Sequence, residues 1–364
     1  MSWRDWTRFI YDRLYPGSRT AHTVHARKRG PVTHVLILDG TMSSLADGYE
    51  TNAGLTYKLL REMAGPNLSL YYEAGIQWRD WRATGDIILG RGINRQIRRA
   101  YGYLASRYRP GDRIFLMGYS RGAFAVRSLA GAIDRIGLLR ADASTERNVQ
   151  QAFRHYRRGP ETRAARAFAR AQCHPTCHVE MVGVWDTVKA LGLRIPVLWR
   201  FRVDQHAFHN PHLGPTTRHG FHALALDETR RAYAPILWER TAGVSGHVEQ
   251  VWFRGCHSDV GGQLCGRHAA RPLSNIALVW MLERVEACDL PLPEGWRAGF
   301  TQDVTAPSVG TWVGWGKLLL RRRARVVGQD PSERLHETVR GTARRGRFGR
   351  DRAGALGERD EGVI

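Results

Sequence analysis

No run of about 18 consecutive apolar residues occurs in this 364-residue chain, which argues against a membrane-spanning helix. The opening residues, MSWRDWTRFIYDRLYPGSR, carry charges every few positions and lack the apolar centre of a secretory signal. Membrane contact is therefore expected to be peripheral. Cysteine is scarce, and Cys173, Cys177, Cys256, Cys265 and Cys288 are too few, too irregular and odd in number for a disulfide framework. A reducing compartment follows, the cytoplasm by default, with any export independent of a signal. Lysine is confined to positions 28, 58, 189 and 317. No GxxxxGK[ST] loop is present and no GxGxxG opens a helix after a strand, so nucleotide chemistry and a bound cofactor are not expected.

Acidic residues are also short, 34 against 55 Lys and Arg, for a net charge of +21. Such a field attracts nucleic acid, phospholipid headgroups or an acidic protein without choosing among them. No RNP, helix-turn-helix or zinc-finger pattern supports nucleic acid, which is not expected as a partner. CHPTCH at 173–178 gathers two cysteines and two histidines, but no second ligand pair answers it. A loop with buried and surface side chains is the simpler reading, and no metal is expected.

What is present is the composition of a folded protein, 43% hydrophobic and 24% charged. HVLILDGT from 34, LSLYYEAG from 68 and DRIFLMGYS from 112 read as strands. The segments YETNAGLTYKLLREM, GINRQIRRAYGYLASRY and RGAFAVRSLAGAIDRIG repeat apolar residues at three and four, as amphipathic helices do. Strand–helix alternation predicts a mostly parallel sheet with helices on both faces. The pattern resumes at HVEMVGVWDTV and HVEQVWFRGCHSDVGG, with a helix in LSNIALVWMLERVEA, while FHALALDETRR reads as helical. We expect an amphipathic segment over 1–30 and one α/β domain over 31–340, with insertions at about 140–177 and 190–220. A basic tail over 341–364 is disordered by composition.

Gly118-Tyr119-Ser120-Arg121-Gly122 fits G-x-S-x-G between a strand and a helix. A nucleophile elbow needs those glycines because the turn is too tight for side chains on either side of the serine. The rival reading is a serine that caps the helix. A serine hydroxyl needs a base and an orienting acid, in this architecture later in the chain. Asp186 closes a predicted strand and His257 follows another, at the sheet edge that presents Ser120. Asp259 competes as the acid or braces the His257 loop, and Asp227 in the helical pattern is more simply an ion-pair partner. Other histidines, including His206, His209, His212, His219 and His222, are expected to be solvated or structural. The Arg121 N–H and the Gly40-Thr41 turn are the candidate oxyanion donors. Asp39 either holds that turn or is an ordinary loop aspartate.

These stretches (LDGT, GYSRGAFAVRSLAG, GVWDTV, HALALDETRRAYAPILW, VWFRGCHSDVGGQ and GWGKLLLRRRARVVG with ERLHETV) resemble the DUF2235 α/β-hydrolase-like family over about residues 34–340. That family includes the catalytic domain of type VI secretion phospholipase effectors of the first lipase class. The resemblance implies an α/β-hydrolase-like fold and a serine esterase acting on acyl esters of phospholipids. Ser120, Asp186 and His257 inherit the three roles, and a secretion-system or immunity protein is the implied partner. The chain departs at Met42-Ser43, where the family often has Trp-Asn.

Two segments suit contact with an anionic membrane surface: Trp3, Trp6, Ile10 and Leu14 on one helical face, and WVGWGKLLLRRRARVV with its arginines. Core packing is the alternative for both. The competing function is a catalytically reduced hydrolase fold serving as a basic module that binds nucleic acid or protein.

Overall fold

The computed structural model describes residues 20–21, 30–75, 91–188, 212–239, 246–312 and 320–340. Its centre is an eight-stranded sheet built from β1 (Thr20–Ala21), β2 (Thr33–Leu38), β3 (Leu68–Glu73), β4 (Arg113–Tyr119), β5 (Val179–Trp185), β6 (Thr217–Ala225), β7 (His247–Phe253) and β8 (Glu333–Leu335). The order is β1-β3-β2-β4-β5-β6-β7-β8. Only β1 runs antiparallel, against β3, and the other seven strands are parallel.

The central strands are mostly apolar because both faces are covered. Their alternation sorts side chains into two cores. Leu36, Leu38, Leu116, Val182 and Val184 enter one, together with helices α2 (Arg91–Ala105) and α3 (Arg121–Ile136). Val35, Ile37, Phe115, Met117 and Trp185 enter the other, with α1 (Asn52–Glu62) and α7 (Arg271–Ala287). From β2 the chain moves to β3 on one side and then crosses back to β4 on the other, so α1 and α2 fall on opposite faces. The chain thus leaves β2 and β4, neighbours in the sheet, towards opposite sides, the topological switch point of an open parallel sheet.

The expected insertion over 140–177 forms α4 (Glu146–Arg158) and α5 (Arg163–Gln172), each started by a threonine whose hydroxyl accepts a backbone N–H: Thr145 from Asn148 and Thr162 from Ala165. Val149, Ala152, Tyr156, Ala165 and Phe168 pack into the core of α2 and α3. In the second expected insertion, 190–220, residues 217–220 already belong to β6; 189–211 lie outside the described residues, as do most of 1–30 and all of 341–364. FHALALDE is not helical. Phe221, Ala223, Leu224 and Ala225 are buried in β6 between two covered faces, where a continuous apolar run mimics a helix pattern.

Among the described residues, no helix is long and apolar enough to cross a membrane.

Candidate active site

Ser120 sits alone between the last residue of β4 and the first of α3, with φ 56° and ψ −116°. A non-glycine residue there is strained, and the surroundings must hold it. They do so through close backbone contact. A Cβ on Gly118 would lie 2.7 Å from the Gly122 carbonyl carbon, and one on Gly122 would lie 1.9 Å from the Leu38 carbonyl oxygen at the end of β2. The two glycines are therefore a packing requirement of the turn. Ser120 occupies the cap position of α3, yet its side chain makes no capping bond; its hydroxyl lies 2.9 Å from His257 Nε2.

His257 is the first residue of the short helix α6 (His257–Gly261), which follows β7. Its Nδ1 lies 2.6 Å from Asp186 Oδ2. An ionised carboxylate only accepts, so this contact places the ring proton on Nδ1 and leaves Nε2 to accept from the serine. Asp186 follows β5 at φ 42° and is wholly buried. Burial opposes its ionisation, but the Arg325 guanidinium and the His257 bond override that and hold the carboxyl well below the usual range. Arg325 Nη1 lies 2.5 Å from Oδ1 and Nη2 lies 2.9 Å from Oδ2, while the Ala225 N–H donates to Oδ1 at 3.1 Å. Ser120, His257 and Asp186, distant in sequence, thus form one hydrogen-bonded chain at the carboxyl edge of the sheet.

Asp259 takes no part in that chain. Its carboxylate accepts the Cys256 N–H at 2.7 Å and the Val309 N–H at 2.8 Å, and it bonds the Ser308 hydroxyl. It closes the first turn of α6, the helix that begins with His257. Glu228, on the turn after β6, receives the His257 backbone N–H at 3.1 Å and is itself gripped by Arg230, with Nε at 2.8 Å from Oε1. The imidazole packs against the rings of Tyr119 and Tyr233, at centroid distances of 4.9 and 4.7 Å. Asp227 accepts the Gly255 N–H at 2.8 Å.

The turn after β2 abuts the serine. A Cβ on Gly40 would come within 2.7 Å of the Tyr119 ring and 3.5 Å of Ser120 Cβ. Asp39 holds the turn, accepting from the Gly40 N–H at 2.6 Å, the Thr51 hydroxyl at 2.6 Å and the Tyr72 hydroxyl at 2.7 Å. Burial raises its carboxyl to about 6 against the pull of those bonds. Of the two residues expected from sequence at this turn, the Gly40 N–H is committed to Asp39. Gln263, beyond α6, reaches the Thr41 carbonyl at 2.9 Å, tying the His257 segment to this turn.

Sequence reasoning missed Arg325, Glu228, Arg230 and Tyr233. The first belongs to the stretch whose sequence suits either membrane contact or core packing, and its side chain is only 4% exposed. In the same stretch the Arg322 guanidinium lies over the Trp312 ring, and residues 313–319 lie outside those described. His222 is structural, as expected. Burial, assisted by nearby Arg127, depresses it to about 3, and its Nε2 accepts the Thr187 N–H at 3.1 Å. In CHPTCH, burial pushes the Cys173 and Cys177 thiols up to about 11 and about 12.

The family described as type VI secretion system, phospholipase effector Tle1-like, catalytic domain matches residues 33–284. The chain belongs to that Tle1-like family. A Saccharomyces cerevisiae protein, YEL023C, is 31% identical over 137 residues, spanning 34% of this chain and 20% of its own length. A Pseudomonas aeruginosa crystal structure of an uncharacterised protein overlaps 83% of the chain and 53% of its own length at 16% identity, TM-score 0.47. The Tle1 effector solved on the VgrG spike overlaps 64% and 51% at 16% identity, TM-score 0.30. The Tle1-like chain thus spans about half of each solved protein and a fifth of the yeast one, and likenesses this loose say nothing of substrate.

Proposed function

We propose that the protein is a serine esterase that hydrolyses acyl esters of phospholipids through an acyl-enzyme. The observation that carries the reading is the chain from Ser120 Oγ to His257 Nε2 at 2.9 Å and from His257 Nδ1 to Asp186 at 2.6 Å. His257 takes the Ser120 proton as the oxygen attacks the ester carbonyl, and Asp186 stabilises the imidazolium that forms. The tetrahedral oxyanion is received by the Arg121 and Thr41 N–H groups. His257 then protonates the departing alcohol, and a water deprotonated by His257 releases the fatty acid and restores the serine. Family membership supports phospholipid as the ester.

The test is release of fatty acid from phosphatidylglycerol vesicles and of alcohol from short acyl esters. Wild type should turn over both, and Ser120→Ala should lower kcat by at least about 10³-fold. Ser120→Ala combined with His257→Ala should be no worse than either alone, because the residues act as a unit. Equal turnover by wild type and Ser120→Ala, or multiplying losses, overturns the proposal. Turnover of short esters without vesicle lipid would keep the esterase and remove the phospholipid.

A further inference from the structure

We infer that Arg325 is a positioning residue for the hydrolytic site, whose fork and charge fix the Asp186 carboxylate and weaken its hold on the His257 proton. The inference rests on the proposed serine-esterase reading. Arg325 lies beyond residues 33–284 that the family matches, on the segment that leads to β8. Its guanidinium meets both Asp186 oxygens, at 2.5 and 2.9 Å, and spends further N–H bonds on the Ala225 carbonyl at 2.7 Å and the Tyr233 carbonyl at 2.6 Å. The arginine is therefore anchored to β6 and to the turn that carries Tyr233, and the carboxylate is aimed by a planar fork held at four points. Asp186 Oδ2 is shared, with Arg325 Nη2 on one side and His257 Nδ1 on the other.

A carboxylate facing only an imidazole, in a buried site, draws a proton onto the ring. A cation on the same oxygens offsets that attraction. Among the described residues no other cation bonds to the Asp186 carboxylate. Glu228 is neutralised by Arg230, Asp259 is spent on the α6 turn, and His222 is held neutral by burial. Tyr119 and Tyr233 present ring faces. Cys256 is kept a thiol by burial, and burial disfavours charge on Arg121.

The experiment measures kcat and KM on a soluble short-chain ester across pH for wild type, Arg325→Met and Arg325→Lys. Arg325→Met should lower kcat about 10²-fold at little change in KM and move the acid limb of kcat/KM up by about one pH unit. Arg325→Lys should lower kcat, because the fork is lost, and keep the wild-type limb, because the charge is kept. A role in packing alone would lower the amount of folded protein and leave the limb of the survivors in place. If Arg325→Met does not fold, Arg325→Lys decides. Either variant with wild-type kcat, an unmoved limb in folded Arg325→Met, or a limb displaced in Arg325→Lys overturns the inference. The same comparison is read without turnover from the pH at which the His257 ring signals change in NMR spectra of Ser120→Ala, with and without Arg325→Met. A wild type inert on every ester sinks the esterase reading, whereas unmoved ring signals sink the role of Arg325.

Discussion

A single methyl group separates a tolerable from an intolerable turn at Gly122. A Cβ there would sit 1.9 Å from the Leu38 carbonyl oxygen, backbone at the end of a buried strand that has nowhere to retreat. Gly122→Ala should destabilise the protein by about 3 kcal/mol or more, read from urea unfolding. Gly299→Ala, with nothing within 4 Å of the added carbon, should stay within about 0.5 kcal/mol. Asp39 gives a pH-dependent test. Its folded carboxyl titrates at about 6, above the ordinary value near 4, so between those values the folded state binds more protons than the unfolded one. Stability tied to this group is present at low pH and lost as pH rises from about 4 through about 6, amounting to about 3 kcal/mol. Asp39→Asn lacks that loss, so its stability relative to wild type should climb by about that much over the same interval. Paired unfolding curves at pH 4 and pH 7 check it. Asp186 has the opposite sign. Its depressed carboxyl adds stability above the ordinary aspartate range that is lost as pH falls through and below it.

Whole elements tie the reactive residues to the frame. Thr51 caps α1 by accepting the Gly54 N–H at 2.9 Å and also donates to Asp39 at 2.6 Å, so one side chain joins a helix start to the turn beside Ser120. Thr51→Ala should cost about 1 to 2 kcal/mol through the lost cap and should lower kcat more than it raises KM as the turn loosens, measured by urea unfolding and ester kinetics. The elements also show what could be read from sequence. The elbow was legible because its glycines, serine, strand and helix lie within one short segment, and Asp186 and His257 because each follows a recognisable strand. FHALALDE misled because Phe221, Ala223, Leu224 and Ala225 are buried in a strand with both faces covered, where period is erased. Arg325 was illegible for another reason. Its partner lies 139 positions away, no local pattern separates it from neighbouring arginines, and only the folded chain brings it to Asp186.

At the scale of the molecule, a net charge of +21 sets how the protein meets a charged surface. Arg147, Arg154, Arg158, Arg163 and Arg170 lie exposed along α4 and α5, and surface charge of this kind is screened by salt. Hydrolysis of anionic vesicles should therefore fall steeply between low and physiological ionic strength, while turnover of an uncharged soluble ester stays level. Parallel declines would show that charge does not recruit the protein to lipid.

The sheet outlasts the segment by which the family is recognised. Beyond residue 284 the chain returns to lay β8 along β7, pairing Gln250, Val251 and Trp252, and Glu333 takes the Trp252 indole N–H at 2.8 Å. A fragment cut at that boundary would leave β7 as a bare rim with unanswered amides beside a stripped tryptophan, inviting a second copy to complete it. Such a fragment should precipitate or self-associate on purification, and its inactivity would then report a missing neighbour strand and a missing guanidinium, with Ser120 and His257 still in place.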